Sequence, residues 1–138
     1  PGKSYDNRWM HRPVIDWKKN DQRHQQGSIE YRIFNETKQL IQLRKSLPIC
    51  SDLKNVTWMT PHNIHVAGFI RSFEDKKLFC LFNYQPADSF VTWYTFKEHG
   101  IRPAQLKDHW TGLTYHVGND NEYFILGAYQ FAILEVID

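Results

Sequence analysis

Cysteine is scarce in this sequence. The chain of 138 residues has only two, Cys50 and Cys80, and they form no C-x-x-C pair. This spacing favours buried thiols over a disulfide framework or a zinc site. We therefore expect a reducing compartment, the cytoplasm. Because Pro1 stands where a Met would begin a natural chain, we also expect a truncated N-terminus. Whether an export signal lies upstream of Pro1 is left open.

Long apolar runs and an excess of one charge are also missing. No run approaches the roughly 20 apolar residues that span a bilayer, so no membrane partner is predicted. The 17 Lys and Arg residues are interspersed with 15 Asp and Glu residues, which leaves a net charge of +2. Because no basic stripe results, no nucleic-acid partner is predicted either.

Motifs for catalysis and cofactor binding are missing as well. The sequence has no G-x-S-x-G, P-loop, H-E-x-x-H or dinucleotide-binding pattern. The pair His62 and His65 in "HNIH" has no acidic or cysteine neighbour in the sequence, which favours a solvated loop over a metal site. Four carboxylates lie in predicted turns: Glu74, Asp75, Asp120 and Glu122. Because turns do not supply the cleft that paired acids need for glycoside chemistry, we do not assign these four a catalytic role. We therefore predict no cofactor, no metal ligand and no catalytic residue in this chain.

One long helical pattern precedes residue 51. In "GSIEYRIFNETKQLIQLRKSLP" apolar residues recur at helical spacing from Ile29 to Leu47. Ser28 is a suitable N-cap, and Pro48 ends the pattern. Since Tyr31 widens the apolar arc, we predict a helix that contacts neighbours on more than one side.

Beyond residue 51 the pattern changes to short runs rich in β-branched and aromatic residues, separated by turn residues such as Gly112. The seven predicted strands lie in "VTWMT", "IHVAGFIRSF", "KLFCLFNY", "FVTWYTF", "LTYHV", "EYFIL" and "YQFAILEV". In "LFCLF" apolar residues occupy both alternating faces, which indicates a central strand covered on both sides. Strands at this spacing predict a mainly β fold, an antiparallel β-sandwich.

The five tryptophans fit either sugar binding or packing, because aromatic faces suit both the apolar face of a pyranose and a protein core. A free-standing carbohydrate-binding module would place two or three aromatics on one sheet face or in one set of loops, and the sequence shows no such clean set. For Trp58, Trp93 and Trp110, which lie on predicted strands or beside one, packing in a core or interface is favoured.

The most informative stretch is "DNRWMHRP", from Asp6 to Pro13, a polar cluster near the start of the chain. Together with the helix that ends in "LIQLRKSLP" and with "NVTWMTPHNIHVAGFIRS", "LFCLFNY", "DHWTG" and "AYQFAILEV", it resembles the C-terminal end of amylosucrases, in the α-amylase superfamily. The resemblance extends to Val136. The sequence departs from the usual pattern at Ala128, where Pro is usual, and at Ile133, where Trp is expected.

The resemblance implies that the chain is a fragment of a larger enzyme. Residues 1–51 would be the last loop and the last helix of a (β/α)₈ catalytic barrel, and residues 52–138 the C-terminal β-sandwich of the α-amylase type. Arg8 would lie at the floor of the substrate pocket and pair with an upstream aspartate, because barrel active sites are built from loops that follow the strands. The parent would act on sucrose or an α-glucan by a retaining mechanism, with its nucleophile and its acid/base upstream.

The upstream barrel is thus the expected partner of the helix and of the sandwich, and this chain would support the barrel without catalysis of its own. Without the barrel, the wide apolar arc of the helix would face water. Large exposed apolar patches usually mark interaction sites. We therefore expect the isolated chain to self-associate as a two-fold homodimer.

Overall fold

A computed structural model describes residues 14–52, 54–100 and 103–137. Helices and strands alternate with short turns along these residues, and their bounds in chain order are α1 (Trp17–Asp21), α2 (Ile29–Ser46), β1 (Val56–Met59), β2 (Val66–Phe73), β3 (Lys76–Asn83), β4 (Ser89–Thr92), α3 (Trp93–Glu98), β5 (Gln105–Asp108), β6 (Thr114–His116), β7 (Tyr123–Leu126) and β8 (Phe131–Ile137). Single 3-10 turns follow α1, at Gln22–His24, and α2, at Pro48–Cys50.

Contacts divide the chain into two compact units, Pro1–Gln42 and Leu43–Asp138. The division falls inside α2, earlier in the chain than the domain boundary predicted at residues 51 and 52. That boundary stays a prediction.

The long helix begins where the sequence predicts it. The backbone N–H of Tyr31 donates to the Ser28 hydroxyl at 3.0 Å, so Ser28 is the N-cap. Pro48 opens the 3-10 turn that follows the helix. No residue of α2 is buried, and its large apolar side chains, among them Ile33 and Phe34, lie 41–66% exposed. In the described part of the chain, no helix is long and apolar enough to cross a membrane.

The strands form two antiparallel sheets. The larger has the order β1-β2-β3-β8-β5-β6, and β4 pairs with β7 in the smaller. One core joins them: Phe79 and Leu81 of β3 pack with Val91 of β4, Phe124 of β7 and Phe96 of α3. The chain is therefore mainly β, and the predicted antiparallel sandwich is confirmed.

Strand β3 is covered on both faces, as its "LFCLF" pattern predicts. Phe79 points into the core between the sheets and contacts Phe96 edge-on, with ring centroids 4.9 Å apart. Leu78 and Cys80 point to the other face of the large sheet, where Ile49 of the Pro48–Cys50 turn covers them. We call this second face the outer face. Burial there raises the pKa of the Cys80 thiol to about 12.

Two strand predictions were wrong. In "FVTWYTF" only the first part is strand, because Trp93 begins helix α3, where Trp93 and Phe96 are both buried on one side. The residues of β5 were not predicted to be a strand at all. In that strand the buried Leu106 and Asp108 flank the exposed Lys107, and a buried carboxylate hides the alternation.

Candidate functional site

The predicted pocket residue Arg8, with the whole "DNRWMHRP" stretch, lies outside the described residues. Its role at the floor of a substrate pocket therefore stays a prediction.

The described residues contain no group of three or more His, Cys, Asp or Glu side chains placed to hold a metal ion. The sequence neighbours of His62 in "HNIH" suggested that it has no acidic partner, but the folded chain gives it one. Its Nε2 is hydrogen-bonded to the Glu98 carboxylate, 36 residues along the chain. His65 does not join this pair. Its backbone N–H donates to the side chain of Asn63 at 3.0 Å, which shapes the turn into β2.

A cleft at one end of the sandwich is the best candidate site in the described part of the chain. The cleft has a volume of about 220 Å³ and lies at the turns that join β5 to β6 and β7 to β8. Five of its eleven lining residues are aromatic: Trp110, Tyr115, Phe124, Tyr129 and Phe131. Clefts with aromatic walls and a few polar groups are typical of small-molecule sites. We call it the aromatic cleft.

The buried carboxylate of Asp108 builds the first of these turns. It accepts hydrogen bonds from the backbone N–H of Trp110 at 3.0 Å, the hydroxyl of Thr111 at 2.7 Å and the backbone N–H of Ile133 at 3.1 Å. Gly112, at φ +77°, closes the turn with a backbone bond to Asp108. Asp108 is thus occupied in holding Trp110 against the cleft.

The second turn holds Tyr129 in an unusual conformation. The backbone N–H of Gln130 donates to Gly127 O at 3.0 Å, and Tyr129, the third residue of this turn, has φ +54°. Turns of this kind favour glycine at that position, and a left-handed backbone costs a larger residue roughly 1–2 kcal/mol. Tyr129 is nevertheless 68% exposed, so burial of its ring does not offset the cost.

A buried asparagine, Asn83, holds the backbone of the same turn by hydrogen bonds. The side-chain amide of Asn83 donates to Leu126 O at 3.2 Å and to Gly127 O at 2.8 Å. The backbone N–H of Asn83 also donates to Gln130 O at 2.8 Å. The Tyr129 ring therefore projects from a rigid support.

Polar groups at the cleft have hydrogen-bonding capacity to spare. Gln130 uses its side-chain oxygen to accept from the N–H of Gly127 at 2.9 Å. Within the described residues, no hydrogen bond engages the side-chain NH₂ of Gln130, the indole N–H of Trp110 or the hydroxyl of Tyr129. The cleft thus offers aromatic faces together with three available donors.

A row of aromatic rings crosses the outer face of the large sheet, and we call it the aromatic row. Its members are Trp58 on β1, Phe69 on β2, Phe82 on β3 and Phe131 on β8. Successive ring centroids lie 6.2, 5.9 and 6.4 Å apart. Trp58 is 77% exposed, so it does not belong to the core of this chain. Phe69, Phe82 and Phe131 are half-buried, and a partly exposed aromatic row of this length is typical of an interface.

Charged groups lie on the same face near its other end. The carboxylate of Glu135 accepts from His109 Nε2 at 2.6 Å, and Lys76 Nζ lies 3.4 Å from it. Burial alone would raise the pKa of Glu135, but the hydrogen bonds and positive charges of His109 and Lys76 outweigh burial and lower it. Glu135 also borders a cavity of about 320 Å³ whose other walls include Leu47 and Phe73. With its carboxylate engaged by His109 and Lys76 and its pKa lowered, Glu135 is not placed as a proton donor.

Sequence reasoning missed that Trp110 and Tyr129 line one cleft, because the two residues lie on different turns. Packing was favoured for Trp110, and it does contact Phe131 at 4.9 Å between ring centroids, but it also lines the cleft. Of the three tryptophans assigned to packing, Trp93 is buried in the core.

No protein-family model matches the sequence, and no match was found among curated proteins. Solved structures do match. Two are of AmyP, an enzyme of the α-amylase family, one of a variant with maltotriose and one with maltose. Each has a TM-score of 0.52 and 20% sequence identity, over 71% of this chain and 19% of that chain. The chain thus spans about a fifth of the length of AmyP.

A third structure, of α-galactosidase I from Mortierella vinacea, has a TM-score of 0.41 and 12% identity, over 54% of this chain and 21% of that chain. That likeness is too low to support a fold assignment. The match to AmyP agrees with the antiparallel β-sandwich fold of this chain.

Proposed function

We propose that this chain is the non-catalytic C-terminal portion of a glycoside hydrolase or glucosyltransferase that acts on sucrose or α-glucans by a retaining mechanism. The observation that carries the proposal is the likeness of the sandwich to about a fifth of AmyP, whose structures contain maltose and maltotriose. The resemblance of "RWMHRP" and the following helix to amylosucrases supports the narrower assignment.

The proposed role of the sandwich is to brace the upstream barrel through its outer face. The Pro48–Cys50 turn already covers part of this face, since Ile49 packs on Leu78 and Cys80. The aromatic row continues the same apolar surface with Trp58 and Phe69. Each aromatic side chain that becomes fully buried contributes roughly 1.5–3 kcal/mol, so a barrel docked on this row would be held firmly.

The helix α2 fits the proposed last helix of the barrel. Its large apolar side chains lie exposed in this chain, as expected for a helix whose packing partners are barrel strands. In the parent, Arg8 would complete the pocket wall by pairing with an aspartate from the barrel, because a guanidinium fork binds a carboxylate with fixed geometry.

Activity assays test the absence of catalysis. The 138-residue chain, incubated with sucrose or maltoheptaose, should release no reducing sugar and extend no glucan, because the nucleophile and the acid/base are proposed to lie in the upstream barrel. Sugar release that disappears when one acid of this chain is replaced by its amide would overturn the proposal.

The reading frame upstream of Pro1 tests the proposed parent. We expect several hundred in-frame codons that encode the barrel strands. A stop codon shortly upstream would instead favour the second candidate, a free-standing carbohydrate-binding module. The aromatic cleft is the observation that favours this second candidate.

A further inference from the structure

We propose that the aromatic cleft between Trp110 and Tyr129 binds an α-glucan chain. The existence of a sugar site rests on the geometry of the cleft, and the choice of an α-linked glucan rests on the proposed function.

The walls of the cleft suit a pyranose. Sugar rings carry C–H groups on one face and hydroxyls around the edge, so they bind between an aromatic surface and polar side chains. The rings of Trp110 and Tyr129 provide the aromatic surface, and the spare donors of Trp110, Tyr129 and Gln130 lie beside it. A volume of about 220 Å³ is small for a pocket that engulfs a ligand. It suits one or two residues of a longer chain that extends into solvent.

The conformation of Tyr129 is the second, independent observation. Backbone strain is retained where a residue is needed for something other than stability, and strained residues cluster at binding sites. Tyr129 stands where glycine is favoured, at φ +54°, and its ring makes no aromatic contact within the described residues. The ring therefore gains no aromatic packing in the folded chain that would offset the strain. A ligand that stacks on the exposed ring accounts for it.

The support beneath the ring is the third observation. Asn83 binds the carbonyls of Leu126 and Gly127, and the backbone N–H of Tyr129 donates to Gln85 O at 3.1 Å. On the other side of the cleft, Asp108 fixes the backbone of Trp110. Both aromatic residues lie on turns held by several hydrogen bonds, which reduces the entropy that binding costs.

Calorimetric titration of the full chain with maltoheptaose tests the site, with cellohexaose as the β-linked control. We expect binding of maltoheptaose and at least about tenfold weaker binding of cellohexaose. Replacing an aromatic anchor of a binding site typically weakens binding by about tenfold. Tyr129→Gly and Trp110→Ala should each raise the Kd for maltoheptaose by about that factor.

Trp58→Ala is the matched control, because Trp58 is an exposed tryptophan on the aromatic row and outside the cleft. It should change the Kd by less than about twofold. Tyr129→Gly separates binding from folding: glycine relieves the left-handed strain, so its melting temperature should equal or exceed that of the unchanged chain while binding is lost.

Three results would overturn the inference. If the unchanged chain binds neither sugar, the cleft is not a sugar site, and the proposed function is left to its own tests. If Tyr129→Gly binds maltoheptaose as tightly as the unchanged chain, the ring has no role in binding. If cellohexaose binds better than maltoheptaose, the α-glucan assignment of the cleft is wrong, and the proposed function is again left to its own tests.

Discussion

Helix α2 and strand β3 are both rich in apolar residues, yet the strand is buried and the helix is exposed to solvent. Four consecutive residues of β3, Leu78 to Leu81, are buried, whereas α2 buries none of its 18 residues. The strand finds partners on both faces within this chain. The helix presents Ile33 and Phe34 to solvent.

The difference shows what an apolar pattern encodes. It identifies a surface that is stable only when covered, but it does not say whether the cover belongs to the same chain. For β3 the cover is the small sheet on one side and the Pro48–Cys50 turn on the other. For α2 the proposed cover is the upstream barrel.

The sharpest way to test the comparison is to truncate one phenylalanine in each element. Phe79 is fully buried, so Phe79→Ala should lower the free energy of unfolding by about 3–5 kcal/mol. Phe34 is 43% exposed, and Phe34→Ala should change it by less than about 0.5 kcal/mol. Urea denaturation followed by tryptophan fluorescence measures both. Equal losses would mean that α2 is packed as tightly as β3.

Acid should weaken the outer face next to β3 before it weakens the core. Glu135, on the neighbouring strand β8, has its pKa lowered in the folded chain by His109 and Lys76, although burial opposes the shift. Such a carboxylate stabilises the fold above its unfolded pKa of about 4.3, and the contribution is lost as the pH falls through the lower folded value. Glu135→Gln should therefore be less stable than the unchanged chain at pH 6.

As the pH falls from 6 through the lowered folded pKa of Glu135, the two proteins should approach each other in stability, because the carboxylate becomes protonated. The comparison needs only a series of urea titrations at decreasing pH. A gap that stays constant, or widens, as the pH falls would show that the ion pairs of Glu135 do not stabilise the sheet.

The smallest effect on stability is expected in α2, together with a clear effect on assembly. We propose that exposed apolar residues of the helix pair two copies of the isolated chain as a two-fold dimer. Phe34→Glu with Leu40→Glu should abolish this association while changing monomer stability by less than about 0.5 kcal/mol. Sedimentation over a concentration series measures it, with Lys38→Glu on the polar face as the control. A strict monomer before any substitution would contradict the proposal.

Much of the fold could be predicted from the sequence, because local signals agree with tertiary packing over most of the chain. Ser28 caps α2 as predicted, and "LFCLF" lies in β3, the covered strand that its pattern predicts. The errors occur where tertiary contacts decide. Trp93 follows a strand directly and enters a helix because burial of its side chain against Phe96 favours that geometry.

The candidate site was beyond prediction for a similar reason. Trp110 and Tyr129 are 19 residues apart in the sequence and line one cleft only in the folded chain, where the turn after β5 and the turn after β7 border the same space. The left-handed backbone of Tyr129 has no sequence signal, since a tyrosine does not indicate a turn. His62 likewise finds Glu98 only in the folded chain.

Cys80 reports on the opening of the outer face of the large sheet. The thiolate is the form that reacts with alkylating reagents, and burial holds the pKa of Cys80 near 12, so the folded thiol is both shielded and protonated. Iodoacetamide should modify it only during the intervals when Ile49 and the side chains around it move away from the sulfur. The rate of alkylation at that one sulfur therefore reports the population of chains with an open outer face, with no added probe.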